Sequence, residues 1–349
     1  MWGVRLQGKG SCGDGPERKI IEELQFSDAS GFLSGLLDLQ DAIPTQQTPL
    51  IYRGSALADW GLVPSSFRPE GMQRLERLLA LDVSTNFGSA SSLHKQITAE
   101  FTAVRLFYKF ANQQGIALPS VSDHLHHVLM QSAFRMNPKS FLTFIGAQYW
   151  QWPPPDLRPM IGLAQHYGVP TRLLDWTRDM LVASYFAAKS ALQFSPEGNL
   201  AVWFTSPDIL EAHNLPLVME MPDYSYQIDV VEVPYAGNPN LAAQKGLFTS
   251  ATPTRARIKE LGAAIEQIEL VHAVSTLFGQ SKGSAVDGLV NRRAKPDGLL
   301  PPIFFKATLP RSEAKPLLRL LRSRSYDGAR LFPGLQGCEI SMAEMEAIY

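Results

Sequence analysis

Between Gln165 and Thr177 the chain reads Gln-His-Tyr-Gly-Val-Pro-Thr-Arg-Leu-Leu-Asp-Trp-Thr. An imidazole, a guanidinium, a carboxylate, two threonine hydroxyls and two large aromatic rings fall within this one short run. Gly168 and Pro170 stop a helix from passing through it, because proline lacks the N–H donor and glycine favours turn conformations. The segment is therefore a fixed bend, and Leu173-Leu174 after it must run inward, leaving Asp175 and Trp176 on the following edge. Small and aromatic residues then recur at helical spacing over Met180–Leu192, and the first N–H groups of that helix can face a phosphate. Buried polar groups are costly unless each finds a partner. So many polar groups on one bend form either a satisfied structural network or a binding site. In the structural alternative, Arg172 pairs with Asp175 to hold the turn, and His166 is a satisfied core histidine.

A second polar element lies upstream. Leu50-Ile51-Tyr52-Arg53-Gly54 is a short β-type run ended by glycine. An arginine in that place presents a planar donor fork to phosphate or carboxylate, and Gly54 lets a ligand approach the backbone. Residues 1–28 are expected to be a poorly ordered N-terminal segment, followed by a helix over Ala29–Ala42 and a polar connector, Pro44–Thr48. From about Gly71 to Trp152 the apolar spacing is helical: Leu75/Leu78/Leu79, Phe101/Val104/Tyr108, and a region over His124–Met136. This span reads as a helical insert, closed by the stiff Pro153-Pro154-Pro155 spacer. Strand-like runs then follow at Leu200–Thr205, Gln227–Val233 and Ile303–Leu309. A helix over Glu313–Leu321, a turn at Gly334–Gly337 and a short closing helix complete the chain. The expected fold class is α+β: one domain over 29–349, with a mixed β-sheet core and a mostly helical insert at 71–152.

Composition narrows the function classes. Hydrophobic residues are 45% and charged residues 19% of the 349, which excludes general disorder. A formal net charge of -1 supplies no overall field for nucleic acid or anionic membrane. The two cysteines, Cys12 and Cys338, offer neither a disulfide framework nor a structural zinc set, and fit a reducing cytoplasm. The N-terminus lacks the apolar run of a signal peptide, and no stretch reaches the ~18 apolar residues of a membrane helix. A cytoplasmic chain with no membrane association is expected. His124, His126 and His127 crowd together without a carboxylate at ligand spacing, so no metal is expected. Gly10–Gly15 is glycine-rich but lacks the Lys-Ser/Thr of a phosphate-binding loop. Tyr149-Trp150-Gln151-Trp152 either stacks a base or caps the core beside the proline spacer. No Gly-x-Ser-x-Gly elbow is present, so nucleophilic hydrolysis is not indicated.

Taken together, these motifs resemble the FRG-domain family, named for a Phe-Arg-Gly motif that reads Tyr52-Arg53-Gly54 here. The family's tryptophan and Pro-Ser-x-x-Arg segment stands at Trp60 and Pro64–Arg68. Its long signature stands at Gln165–Thr177 and runs on to Ala183–Ala187, and its Gln-x-Gly-x-Phe-Thr motif at Gln244–Thr249. The order of elements also resembles the ADP-ribosyltransferase fold. That resemblance implies NAD as substrate, without a metal. It implies Arg53 as the anchor of NAD phosphate or ribose, Asp175 and Thr177 in the second-strand position, and Gln244 in the late polar position, these four forming the catalytic set. Tyr52, Arg53, Gly54, His166, Tyr167, Thr171 and Trp176 are the implied NAD contacts. The sequence departs from that fold's pattern in two ways. Asp175-Trp176-Thr177 replaces a Ser-Thr-Ser triplet, and Gln244, which cannot act as a base, replaces a glutamate, leaving Glu232 as the fallback carboxylate. The expected function is an NAD-handling, ADP-ribosyltransferase-like enzyme that modifies a protein or nucleic-acid acceptor or hydrolyses NAD. A toxin or phage-defence setting suits such a fold. The alternative is a non-catalytic nucleotide-sensing or protein-interaction module using the same cleft.

Overall fold

A computed structural model describes residues 19–42, 49–82, 92–118, 120–130, 151–212, 225–261, 268–280 and 302–349. Its centre is a seven-stranded mixed sheet. In chain order the strands are β1 (Ile21–Gln25), β2 (Ile51–Ser55), β3 (Leu174–Thr177), β4 (Asn199–Thr205), β5 (Tyr226–Val231), β6 (Gly246–Pro253) and β7 (Phe304–Pro310). Across the sheet they run β1-β7-β4-β2-β3-β6-β5, with β1 parallel to β7 and every other neighbouring pair antiparallel. This order places β2, which carries Arg53, directly beside β3, which carries Asp175, although 122 residues separate the two in sequence. Contact at the sheet centre thus depends on a long-range pairing that local sequence does not encode.

Helices that frame the site and the core include α1 (Ala29–Ala42), α2 (Pro69–Asp82), α3 (Ser92–Gln113), α4 (Asp123–Met130), α5 (Arg158–His166), α6 (Met180–Ala191), α7 (Ala314–Ser323) and α8 (Leu335–Ile348). Alternation along the strands gives the sheet two apolar faces. On one face, Phe32, Leu33 and Leu36 of α1, the small-residue side of α6 and Leu317, Leu318 and Leu321 of α7 pack on Tyr52, Val202, Phe204 and Leu309. On the other, Ile51, Leu174, Trp176, Trp203 and Leu247 meet Leu62, Phe67 and Leu270. A third cluster joins α3, α4 and α5 to the β5–β6 end of the sheet through Phe101, Trp152, Leu157, Ile161, Val231 and Phe248. The described residues between 71 and 152 are helices and turns with no strand, and those of α3 and α4 pack beside the β5–β6 end of the sheet. No helix among the described residues is long and apolar enough to cross a membrane.

Two expectations need correction. Part of the N-terminal segment is ordered: Ile21–Gln25 forms the edge strand β1, and Phe26 packs edge-on against Phe32. Two acidic residues in a five-residue, half-exposed strand blur its apolar alternation, and only pairing with the distant β7 fixes it. The turn at Gly334–Gly337 contracts to Gly334, whose φ of 102° only glycine tolerates well, and α8 starts at Leu335 and runs for 14 residues. Residues 1–18, with Cys12 and the Gly10–Gly15 run, lie outside the described residues, as do Pro44–Thr48, the 131–136 end of the third helical region and Tyr149-Trp150.

Gly54 has a different reason from the one its sequence suggests. A Cβ built there lies 2.1 Å from the Ala183 carbonyl oxygen and 2.6 Å from the Ala187 amide nitrogen. Helix α6 therefore rides on the β2 backbone, and the glycine and the Ala183/Ala187 pair are two halves of one contact. We expect Gly54→Ala to cost about 3 kcal/mol in urea-induced unfolding, because backbone atoms cannot move aside as side chains do. A loss below about 0.5 kcal/mol would show that α6 shifts freely.

Candidate functional site

Helix α5 ends where Gly168 enters the left-handed region at φ 81°. The chain turns through Val169 and Pro170 and enters β3 at Leu174. Ser65, in the short helical turn before α2, clamps this bend from the other side. Its hydroxyl accepts the Thr171 N–H at 3.0 Å and donates to the Thr171 carbonyl at 3.2 Å, and the Ser66 N–H reaches the same carbonyl at 3.0 Å. The Thr171 hydroxyl in turn donates to the Gln165 side-chain carbonyl. The amide end of Gln165 donates to Asp175 Oδ1. On the far side of that carboxylate, Arg53 Nη1 donates to Asp175 Oδ2 at 2.6 Å and to the Asp175 carbonyl at 2.7 Å. Strand, bend and neighbouring strand are thus joined by one chain of hydrogen bonds.

A cleft of about 190 Å³ opens over this chain. Its polar wall is Arg53, Ser65, Arg68, Gln165 and Asp175, and its apolar wall is the bend with Leu173 and Leu174. The Asp175 side chain is 54% exposed and that of Arg53 16%. Desolvation pushes the Asp175 carboxyl up, but the charge and hydrogen bond of Arg53, helped by His166 and Arg68, outweigh it. The carboxyl is held below its ordinary range and is ionised at neutral pH. Burial pushes the His166 imidazole down against the pull of Asp175, leaving it neutral there. Arg68, oriented by Nε donating to the Val63 carbonyl at 2.9 Å, and Arg74, donating to the Gly168 carbonyl at 2.5 Å, add positive charge at the cleft and its rim. Three guanidinium groups at the cleft and its rim, with Asp175 on the wall and Glu70 of α2 acting on Arg68, can take an anion.

Beneath the cleft lies a buried ion pair. Arg172 Nε donates to Glu100 Oε2 at 2.7 Å, with side chains 1% and 2% exposed. Glu100 also accepts from Trp152 Nε1 at 2.6 Å and from Gln96 Nε2 at 2.8 Å. The Arg172 guanidinium lies 5.2 Å from the centre of the Phe67 ring. Arg172 therefore holds the bend to the helical insert, and the expected Arg172–Asp175 pair does not form. The reason is direction: Arg172 points into the core toward α3, while Asp175 is taken by Arg53.

Of the residues implied for NAD, Arg53 and Asp175 line the cleft. The others lie elsewhere. Tyr52 is buried against Phe204, its hydroxyl pushed up by burial and by Asp179. Gly54 is covered by α6, and Thr171 is buried within the bend. His166 sits behind the cleft beside Phe248, its Nε2 buried without a hydrogen-bond partner among the described residues. Tyr167 is exposed against Phe107, and Trp176 is buried in the core with its indole N–H on Thr249. Thr177 and Gln244 meet each other away from the cleft: the Thr177 hydroxyl donates to the Gln244 carbonyl at 2.6 Å, and the Gln244 amide donates to the Leu331 carbonyl at 3.1 Å. Glu232 pairs with Arg178 past the end of β3. The N-terminus of α6 is closed to a phosphate, because Asp179 caps the Leu181 N–H at 3.0 Å and also holds Lys245 and Tyr326. His126 meets the Tyr108 hydroxyl, and Trp152 caps the core. Sequence reading left out Ser65, Arg68 and Gln165 as site residues. Their signal was present in the Pro64–Arg68 segment and at the head of the long bend motif.

Against known families, residues 48–195 match the FRG domain. The matched span runs from just before β2 to just past α6 and holds every cleft-lining residue. Neither the curated proteins nor the solved structures contain a match to it.

The buried pair gives a direct test. Glu100→Gln leaves the Arg172 charge buried without a counter-charge, so unfolding free energy should fall by about 3–5 kcal/mol. Replacing both partners, Glu100→Leu with Arg172→Met, should recover a large part of that loss in the same urea titration. Equal losses in the single and double variants would mean that the two side chains do not act as a pair.

Proposed function

We propose that this FRG-domain protein binds a nucleotide by its anionic part in the Arg53–Arg68–Asp175 cleft, and that the nucleotide is NAD, handled in ADP-ribosyltransferase-like fashion. The observation that carries this reading is the placement of an ionised, half-exposed Asp175 carboxylate among guanidinium groups on one wall. Arginines supply the charge-assisted hydrogen bonds that phosphate needs. The carboxylate supplies what cleavage of the nicotinamide bond needs. In that step the C1′–N bond breaks, and its electron pair stays with the nicotinamide nitrogen, which becomes neutral. The positive charge moves onto the ribose C1′–O, and a nearby fixed carboxylate lowers its energy. Water or an acceptor side chain then bonds to C1′ and releases its proton to solvent.

A second reading, a nucleotide-sensing module without turnover, is favoured by a specific observation. Gln244 is only 8% exposed and its amide is committed to the Leu331 carbonyl, so the late polar position does not reach the cleft.

Incubation with NAD separates the two. We expect nicotinamide release together with an upward thermal shift. Asp175→Asn should slow release by about 100-fold, in line with removing one electrostatic stabiliser of the transition state. A thermal shift without nicotinamide would select the sensing module, and the absence of both would end the nucleotide reading.

A further inference from the structure

We infer that Arg68, not Arg53, anchors the ligand's anionic group, and that the cleft takes a phosphorylated sugar whose hydroxyls face Asp175. This inference rests on the nucleotide reading above and names the part of the ligand that the cleft holds.

The three arginines at the cleft differ in what they already hold. Arg53 spends Nη1 on both the carboxylate and the carbonyl of Asp175, at 2.6 and 2.7 Å. Its charge is balanced at contact distance, and a phosphate arriving there would have to displace a carboxylate. Arg74 lies at the rim, donating to the Gly168 carbonyl. Arg68 lines the cleft, and its one hydrogen bond among the described residues is from Nε to the Val63 carbonyl. No carboxylate lies within ion-pair distance of it among the described residues. A guanidinium held by Nε has a fixed plane, and its two Nη groups remain as a paired donor edge, the geometry that grips a phosphate. Asp175 and Glu70 act on Arg68 through space, but neither is in contact with it, so its guanidinium is the one lining the cleft whose paired Nη edge no carboxylate among the described residues takes up.

Asp175 fixes the other half of the ligand. One carboxylate oxygen is held by Arg53 and the other by Gln165, yet the group is half exposed, so lone pairs remain toward the cleft. An ionised carboxylate repels an anion and accepts from hydroxyls, as acidic residues do at ribose diols. The ligand must therefore be anionic at one end and hydroxylated at the other. Ser65 adds no pull, because its hydroxyl is already used twice on Thr171. Size agrees: about 190 Å³ is below the roughly 300–1,000 Å³ of sites that enclose a whole drug-sized ligand. A sugar phosphate fits that space, with Val169, Pro170 and Leu173 against its apolar side, and the rest of a dinucleotide would extend outside.

Calorimetric titration of the full chain with ribose 5-phosphate, ribose, inorganic phosphate and NAD tests this. Ribose 5-phosphate should bind at least 10-fold tighter than ribose or phosphate alone. Arg68→Ala should weaken it by at least 30-fold, and Arg68→Lys should restore only part of the loss, since an ammonium lacks the paired edge. Circular dichroism melting of both variants within a few degrees of wild type would show that the loss is one of binding. Inorganic phosphate binding as tightly as ribose 5-phosphate would overturn the hydroxyl role of Asp175. Undiminished binding by folded Arg68→Ala would overturn the anchor. Consumption of NAD by an unaffected Arg68→Ala would leave the NAD reading standing and defeat this inference. Arg68-dependent binding of ribose 5-phosphate with no response to NAD would do the reverse.

Discussion

Glu100 lies deep in α3, 2% exposed, and collects hydrogen bonds from three separate parts of the chain. Gln96 comes from its own helix, Trp152 from the end of the insert, and Arg172 from the bend that leads into β3. A buried carboxylate loses several kcal/mol of hydration, which the geometry must return through charge-assisted hydrogen bonds. That requirement makes the position of Arg172, and so of the whole bend, nearly all-or-none. The cleft wall follows from it: Leu173 and Leu174 come directly after Arg172, and Asp175 is three residues on. Helix α3, through Glu100, is therefore what holds the bend in shape.

The strand pair β2–β3 supplies the other constraint. Tyr52 is opposite Thr177, and α6 lies on Gly54 at backbone contact. With both strands fixed by packing, the Arg53–Asp175 pair is positioned before any ligand arrives. Preorganised charge of this kind gains most in a partly closed site, where water competes less for each group. The same pair also decides which groups stay available: Arg53 is taken up by Asp175, while Arg68 lines the cleft without an ion-pair partner in contact among the described residues.

Much of this was legible in the sequence. The bend at Gly168–Pro170 and the helical spacing of α2 and α3 follow from local residue chemistry, and the juxtaposition of Arg53 with the Gln165–Thr177 segment follows from motif resemblance alone. Roles were less legible than places. Thr177, Trp176 and Gln244 carry the same polar or aromatic groups whether they face a cleft or the core, and alternation over a four-residue strand is too short to tell the two apart. The structural role of Arg172 is legible but its partner is not, because a carboxylate three residues away in sequence competes poorly with one 72 residues away that is buried in the right direction. Strand β1 was hidden because its partner, β7, lies near the other end of the chain. Burial, direction and long-range partner choice are tertiary properties, and a single sequence reports them weakly.

We propose that one cleft, walled by Arg53, Arg68 and Asp175, is where this protein meets its ligand. A crystal structure grown with ADP-ribose examines it most directly. A phosphate is expected within hydrogen-bond distance of the Arg68 Nη groups, with ribose hydroxyls on the Asp175 carboxylate and the Arg53–Asp175 pair intact. ADP-ribose bound on another surface with this cleft empty, or its phosphate seated on Arg53 after expelling Asp175, would contradict it.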